Sequence, residues 1–469
     1  MNESDKNDNI WLLTEERPKP SVILQIIETY CKDFNDKITV NNKIKIKPII
    51  NNGIFQFLYL VEGLATKESE HIYIKTVSGS SSFFDFLLFK QKEAPIEDGK
   101  ETPLMAIEET KTSDDESRNT GVYQRGSKFV FIHQYYIDTK LYMLYNDELE
   151  AREDKRPSDT SIFGTNILLT LGATIVGKDT TRWFKPFKSL DELIDFKAKM
   201  RRPPAGNTPI LITKYTDRIE ISGRLSNPAE KENIAHDPNI GALSMISACI
   251  RKLGWDKKIV VTLHGVSQSY VDRSGASNKF VYICKLLDIS LDNITLPIAV
   301  ETPERYWHYE INSEKMADIL LHVQVMYYDI KCVYENHAGC ERGYFRSKTN
   351  ELIVLPKRDS HGDILSLPDV VLYDDASNET LVVEGKKLST LNQGLSELNN
   401  YDSIENEHIK PNYPGTRIQR GLSIFGGECE KLPHEKVLFY LSDSGRIIIS
   451  SKAPDFVKRC FANTGATIQ

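Results

Sequence analysis

The stretch "LPDVVLYDDASNETLVVEGK", residues 367–386, contains two apolar runs on either side of a polar turn. Such runs, bounded by Asp, Asn and Ser, predict two strands joined by a reversal of the chain. Asp369 stands at the start of the first predicted strand, and Glu384 and Lys386 stand at the end of the second. Because strand side chains alternate between faces, Glu384 and Lys386 point the same way, and the hairpin brings Asp369 against them.

Two carboxylates at one end of a sheet form an oxygen site of the kind that holds Mg²⁺ together with waters and a substrate phosphate. The neighbouring lysine would either orient or help to deprotonate an attacking water, or stabilise negative charge that develops on phosphorus. An acid-x-Lys pattern alone is a weak signal, since solvated charges such as Asp98 and Lys100 also match it. The flanking strands and the following amphipathic helix distinguish the set Asp369, Glu384 and Lys386 from that alternative.

The same order of residues occurs once more, near the N-terminus. Asp85 lies in "SSFFDFLLF", and the apolar run "PLMAIEETK" ends in Glu109 and Lys111. The separation of the two acids is 24 residues here (109 − 85) and 15 in the later copy (384 − 369), so the first hairpin needs a longer connection. Asp85 and Glu109 are therefore a second predicted pair of metal ligands, with Lys111 beside them.

Both stretches resemble the PD-(D/E)XK nuclease superfamily, and among its members the type II restriction endonucleases. Pro368 and Asp369 match the PD of the signature, and Glu384 to Lys386 match its (D/E)XK; in the first copy Phe84 replaces the proline. The resemblance covers residues 50–135 and 310–450. It implies an α/β chain with two restriction-endonuclease-like domains, each a mixed central sheet flanked by helices, and Mg²⁺-dependent hydrolysis of double-stranded DNA.

Three further residues are candidates by their position in the resemblance. Glu62 and Glu314 fit an upstream third acid, although Glu314 could equally be a first-turn charge favoured by the helix dipole. Gln393 lies where related nucleases often carry a glutamine or a basic residue near the metal site.

Basic residues near these sites are candidates for contacts with the DNA backbone. Arg118 and Arg125 are seven residues apart and so share a helical face, with Gln124 and Lys128 adjacent. Arg201 and Arg202 belong to the densest basic cluster of the middle region. The alternative for both groups is an ordinary solvated basic surface.

The order of predicted helices and strands gives three segments. Residues 1–180 and 301–469 are the predicted nuclease domains, and residues 181–300 are a predicted α/β DNA-recognition region between them. The chain of 469 residues carries a formal net charge of −7, which excludes a general basic coat for nucleic acid, so any contact with phosphate must come from local patches.

Seven scattered cysteines, an odd number, argue against a disulfide framework, and no apolar run approaches the length of a membrane span. We therefore expect a cytoplasmic protein without a membrane partner, either a monomer or a homodimer. The phosphate loop GxxxxGK[ST] and a methyltransferase box are both missing from the sequence, which disfavours DNA translocation and methylation.

Together these features predict a type II site-specific deoxyribonuclease, with one strand cut by each site, and a separate cognate DNA methyltransferase. The alternatives are a nuclease with one working site and one vestigial copy, a repair or junction nuclease, and a DNA-binding protein that does not cut.

Overall fold

The structure is a computed structural model, and it describes most of the chain. The described residues are 8–79, 83–110, 121–133, 135–145, 156–200, 210–224, 237–274, 278–296, 307–336 and 343–469. Lys111, Arg118, Arg201 and Arg202 lie outside these ranges, and the side chain of Gln124 is also not described.

The strands of the described residues are, in chain order, β1 Asn9–Thr14, β2 Ile38–Asn51, β3 Ile54–Thr66, β4 Ile72–Thr76, β5 Ser78–Gly79, β6 Phe86–Gln91, β7 Met105–Thr110, β8 Lys140–Tyr145, β9 Thr174–Val176, β10 Leu211–Lys214, β11 Arg218–Arg224, β12 Lys258–His264, β13 Ile289–Leu291, β14 Tyr309–Glu310, β15 Lys331–Glu335, β16 Tyr344–Arg346, β17 Leu352–Val354, β18 Val370–Asp374, β19 Glu379–Lys387, β20 Arg417–Phe425, β21 Val437–Leu441, β22 Ile447–Ile449 and β23 Thr467–Ile468.

The α-helices of the same residues are α1 Pro20–Asp33, α2 Gly121–Ile132, α3 Asp159–Thr170, α4 Leu190–Lys199, α5 Asp237–Lys252, α6 Gln268–Ser274, α7 Asn278–Leu286, α8 Lys315–Tyr327, α9 Leu391–Glu397, α10 Asp402–Ile404, α11 Lys410–Asn412 and α12 Asp455–Phe461. Short 3-10 turns at Leu388–Thr390 and Leu398–Asn400 flank α9, and a π turn at Glu405–Ile409 follows α10.

The chain divides into two compact units. The first comprises Met1–Ser80, Asp85–Asp98 and Tyr309–Gln469, and the second comprises Ser81–Phe84 and Gly99–His308. The first unit thus combines residues from both ends of the chain, which the sequence assigns to separate nuclease domains. The three-segment division by function stays a prediction.

Two mixed sheets dominate the first unit. One contains β2-β3-β4-β1-β6 in that order, with β1 parallel to β4 and antiparallel to β6. The other contains nine strands in the order β17-β16-β15-β18-β19-β20-β21-β22-β23. At its centre β18 and β19 are antiparallel, whereas β19, β20 and β21 are parallel neighbours.

The central strands of the nine-stranded sheet are buried because their sequences are continuously apolar. Every residue of β18 and of β21 is buried, and so is all of β19 except Lys387. Strands covered on both faces read as unbroken Val, Ile and Leu runs, which is the pattern of "LVVEG" and "VLFYL". The turn between β18 and β19 is fixed by Asp374, whose carboxylate accepts a hydrogen bond from the Ser377 hydroxyl at 2.7 Å.

The second unit holds two groups of hydrogen-bonded strands and the helices α2 to α7. Strands β7, β8 and β9 are parallel neighbours, and β10 lies antiparallel to β11 at the edge of a sheet in which β11, β12 and β13 are parallel. The helix α2 packs against α5 and α3. The α/β class with mixed sheets and flanking helices, predicted from the sequence, is therefore confirmed.

No helix within the described ranges is both long enough and apolar enough to cross a bilayer.

Gly445 allows a close backbone approach in the first unit. Its φ is +85°, the Phe55 amide donates to its carbonyl oxygen at 2.8 Å, and a Cβ at this position would overlap the Phe55 carbonyl oxygen. We expect Gly445→Ala to lower the free energy of unfolding by about 2–4 kcal/mol, because backbone strain and a steric clash add together. Chemical denaturation measures this change.

Gly362→Ala is the matched control, because Gly362 has a φ of +90° but no atom within 4 Å of an added Cβ. It should lower the free energy of unfolding by only about 1 kcal/mol, from backbone strain alone. Equal losses in the two variants would show that the close approach at Gly445 does not matter.

Candidate active site

The β18–β19 hairpin places Asp369 beside Glu384. Val370 pairs with Val383 across the hairpin, and the Asp369 amide donates to the Val383 carbonyl oxygen at 3.1 Å. The Gly385 amide in turn donates to Asp369 Oδ2 at 2.9 Å. The side chain of Asp369 is therefore held against the end of β19, next to the two other residues of the motif.

Glu384 and Lys386 are both buried, and they contact each other directly. Lys386 Nζ donates to Glu384 Oε1, and the Tyr401 hydroxyl donates to Glu384 Oε2. Lys386 also forms an ion pair with Glu397 of α9 at 2.9 Å. Both oxygens of Glu384 are thus engaged by protein groups.

Gln393 lies one turn before Glu397 on α9, and its amide donates to Glu397 Oε1 at 2.8 Å. The structure therefore connects Gln393 to Lys386 through Glu397. Tyr401 and Glu397 were not predicted as site residues. Glu397 had a sequence signal, because it follows Gln393 at a spacing of four residues on a helix.

A third carboxylate reaches the site from α8. Asp318 packs against Gly385 so closely that a Cβ at Gly385 would overlap its carboxylate. Its Oδ1 atom is buried and has no hydrogen-bond partner in the described part of the chain. A residue with a side chain at position 385 would displace Asp318, so the glycine between Glu384 and Lys386 is a steric requirement.

The predicted upstream acid was Glu314, and the structure places it elsewhere. Glu314 is exposed and immediately precedes α8, whereas Asp318 lies four residues later and faces the motif. The sequence held a usable signal, because Asp318 is the single acidic residue in the apolar helix "KMADILLHVQVMY".

Burial and neighbouring charges raise the pKa values of two of these carboxyl groups, Asp318 and Glu384. Burial and the charge of Asp369 raise the pKa of Asp318 well above its usual range, and the charge of Glu384 raises it further. Burial, followed by the charge of Asp369, raises the pKa of Glu384 to about 7. If all three carboxylates were ionised, the single positive charge of Lys386 would not compensate their negative charge.

Lys386 stays charged in this environment. Burial would lower the pKa of its ammonium group, but hydrogen bonds to Glu384 and Glu397 raise it overall. Burial likewise would raise the pKa of Glu397, but hydrogen bonds within the cluster lower it to about 2. The cluster therefore favours the charged form of Lys386.

Glu62 lies in the first unit but has other partners. It pairs with Lys47 at 3.2 Å, and the Tyr327 hydroxyl donates to its Oε2 at 3.0 Å. The prediction that Glu62 completes the first motif copy is not tested by these contacts.

The first motif copy is described only in part. Asp85 belongs to the first unit and directly precedes β6, whereas Glu109 belongs to the second unit and is buried in β7 opposite Leu144 of β8. Lys111 falls outside the described residues, so the arrangement of this trio stays a prediction.

Two of the predicted DNA-contacting residues have described side chains. Lys128 pairs with the buried Glu108 at 2.7 Å and donates to the Phe83 carbonyl oxygen at 2.8 Å, so it compensates a buried charge. Arg125 is half-buried on α2. Glu108 was not predicted as a site residue, although it directly precedes Glu109.

Comparisons with known proteins found no matching family model, no matching curated protein and no matching solved structure. Within the described residues, no three His, Cys, Asp or Glu side chains are arranged as a ready metal site. Asp318, Asp369 and Glu384 nevertheless supply the oxygen donors that Mg²⁺ prefers, and the buried Asp318 Oδ1 has no hydrogen-bond partner in the described part of the chain.

The raised pKa of Glu384 predicts a pH-dependent stability in the absence of divalent cations. The usual value is 4.5 and the folded value is about 7, so the stabilising contribution is full below pH 4.5 and is lost as the pH rises through 7. Glu384→Gln mimics the neutral form. We expect its gain in free energy of unfolding over the wild type to be about 2–3 kcal/mol larger at pH 8 than at pH 5.

Urea denaturation at both pH values measures this difference. Glu430→Gln, at an exposed position of the same unit, serves as the control and should show no such dependence. If the free energies of unfolding of wild type and Glu384→Gln differed by the same amount at pH 5 and pH 8, the raised pKa of Glu384 would be contradicted.

Proposed function

We propose that this chain is a Mg²⁺-dependent endonuclease of the restriction type that cuts double-stranded DNA, with its main active centre at Asp318, Asp369, Glu384 and Lys386. The observation that carries the proposal is the convergence of three carboxylates and one buried lysine at the end of a single hairpin. A purely structural ion pair between Lys386 and Glu384 would not require Asp318 and Asp369 beside it.

The strand order around the centre supports the finer fold assignment. An antiparallel hairpin, then a helical segment and a strand parallel to β19, surround the motif. This is the order that a restriction-endonuclease-like domain would have, and we propose that fold for the C-terminal part of the first unit.

Asp318, Asp369 and Glu384 would hold the metal ion. The ion, when bound, supplies Lewis acidity at the phosphate and lowers the pKa of a bound water. Lys386, which Glu397 also holds, would place its positive charge beside the scissile phosphate.

The proposal extends to partners and to the first motif copy. The substrate is duplex DNA, and a separate methyltransferase would protect the host's own target sequences. Asp85, Glu109 and Lys111 would form a second centre that cuts the opposite strand, in which case two unlike sites remove the need for a symmetric dimer. The rival proposal is one working centre and one vestigial copy.

Cleavage of a supercoiled plasmid tests these statements. We expect discrete fragments with Mg²⁺ and no cleavage in excess chelator. Glu384→Ala removes a metal ligand and should slow cutting of one strand by at least about 100-fold, so that nicked circles accumulate. Glu109→Ala should nick the complementary strand if both centres work, and primer extension locates each nick.

Glu430→Ala is the control and should cut as the wild type does. Both active-centre variants should still bind target DNA, because sequence readout lies elsewhere. Linear product from Glu109→Ala at the wild-type rate would establish the single-centre form. Cleavage that survives chelation, or full activity of Glu384→Ala, would exclude the proposed centre.

A further inference from the structure

A cleft of about 370 Å³ opens in the first unit at the C-terminal end of α8. Its walls are residues 43–46 of β2, the end of α8 with the start of β15, and the turn between β16 and β17. The volume falls within the range of about 300–1,000 Å³ that small-molecule sites occupy.

The cleft is separate from the candidate active site. Met326 lines it and lies eight residues after Asp318 on α8, which corresponds to about 12 Å along the helix axis. Lys331, also in its wall, pairs with Tyr373 at the far end of β18 from Asp369. A ligand in the cleft would therefore not be the phosphate that is cut.

Positive charge dominates the cleft. Its cationic lining residues are Arg17, Lys43, Lys45, Lys331, Arg346 and Lys348. Three carboxylates pair with four of them, in the ion pairs Arg17–Glu335, Lys43–Asp329, Lys45–Asp329 and Lys331–Asp375. Six positive and three negative charges leave a balance of +3, which favours an anionic ligand.

Arg346 and Lys348 carry two of these three charges, and the third comes from Lys43 and Lys45, which share Asp329. In the described ranges, the side chains of Arg346 and Lys348 form no hydrogen bond or ion pair, and Lys348 Nζ lies 5.7 Å from the centroid of the Tyr373 ring. The turn that carries them is rigid, because the Asn350 amide donates to the Ser347 carbonyl oxygen at 2.9 Å and the Glu351 amide donates to Ser347 Oγ at 3.0 Å. These bonds order the backbone next to Lys348, and Arg346 is the last residue of the preceding strand β16.

Much of the remaining lining is apolar. Ile44, Ile46, Val323 and Met326 form much of the wall, together with the ring of Tyr413. An inorganic anion would leave this surface without a partner, whereas an anion attached to an organic body would cover it. The guanidinium fork of Arg346 matches the geometry of a phosphate group.

We propose that this cleft binds an organic phosphate of nucleotide size, with the phosphate on Arg346 and Lys348 and the organic body against the apolar wall. A free nucleotide and the terminal nucleotide of a DNA strand share this chemistry. The site is independent of the metal centre and of the proposed nuclease activity.

Calorimetric titration of adenosine 5′-monophosphate into the full chain, without divalent cations, tests this site. We expect one saturable site, with adenosine and inorganic phosphate each binding at least about tenfold more weakly. Arg346→Ala combined with Lys348→Ala should weaken binding of the monophosphate at least about tenfold. Lys431→Ala, an exposed lysine of the same unit outside the cleft, should leave it unchanged.

Circular dichroism checks that each variant is folded. If the double variant unfolds, Lys348→Glu at an exposed position replaces it. The same loss of affinity for the monophosphate is expected. Displacement of the nucleotide by a 5′-phosphorylated oligonucleotide would identify a strand end as the source, and failure to displace it would identify a free nucleotide. The absence of saturable binding to the wild type, or undiminished binding to the charge variants, would overturn the proposal.

Discussion

The approach of Asp318 to Gly385 is the contact on which the candidate site depends. The carboxylate from α8 occupies the space that any side chain at position 385 would fill, and it meets Asp369 and Glu384 there. Burial, and after it the repulsion from neighbouring carboxylates, raises the pKa values of Asp318 and Glu384 above their usual range. Such an arrangement lowers stability unless a cation compensates it, and unfavourable clusters of this kind are typical of functional sites.

Lys386 supplies part of that compensation, and the surrounding helices determine how it does so. Glu397 of α9 holds the ammonium group at 2.9 Å, and Tyr401 holds the far oxygen of Glu384. Glu384 therefore has partners in the absence of metal, and Lys386 has one that it keeps if Glu384 turns toward a metal ion. Lys386 thus pairs with Glu397 of α9 and with Glu384 of β19, so its positive charge acts on the ionisation of both acids.

The local features of the site could be predicted from the sequence, and the long-range ones could not. The hairpin that joins Asp369 to Glu384 and Lys386 follows from two apolar runs and a polar turn, because pairing across a short turn is a local property. Asp318 was missed because it lies 67 residues before Gly385 (385 − 318), and only the packing of α8 on the sheet brings the two together. Lys128 was assigned to DNA, yet its ammonium group pairs with Glu108, a contact that its position on a helical face did not indicate.

Metal binding in the absence of DNA tests the central claim most directly. Titration of Mn²⁺ into the wild type at pH 8, with free Mn²⁺ measured by electron paramagnetic resonance, should show saturable binding. Asp318→Asn should bind at least about tenfold more weakly, because it loses a charged ligand. Glu62→Gln is the control, because the carboxylate of Glu62 pairs with Lys47. It should leave the Mn²⁺ affinity of the site at Asp318, Asp369 and Glu384 unchanged. Equal Mn²⁺ affinity in wild type and Asp318→Asn, or no saturable binding by the wild type, would contradict the account.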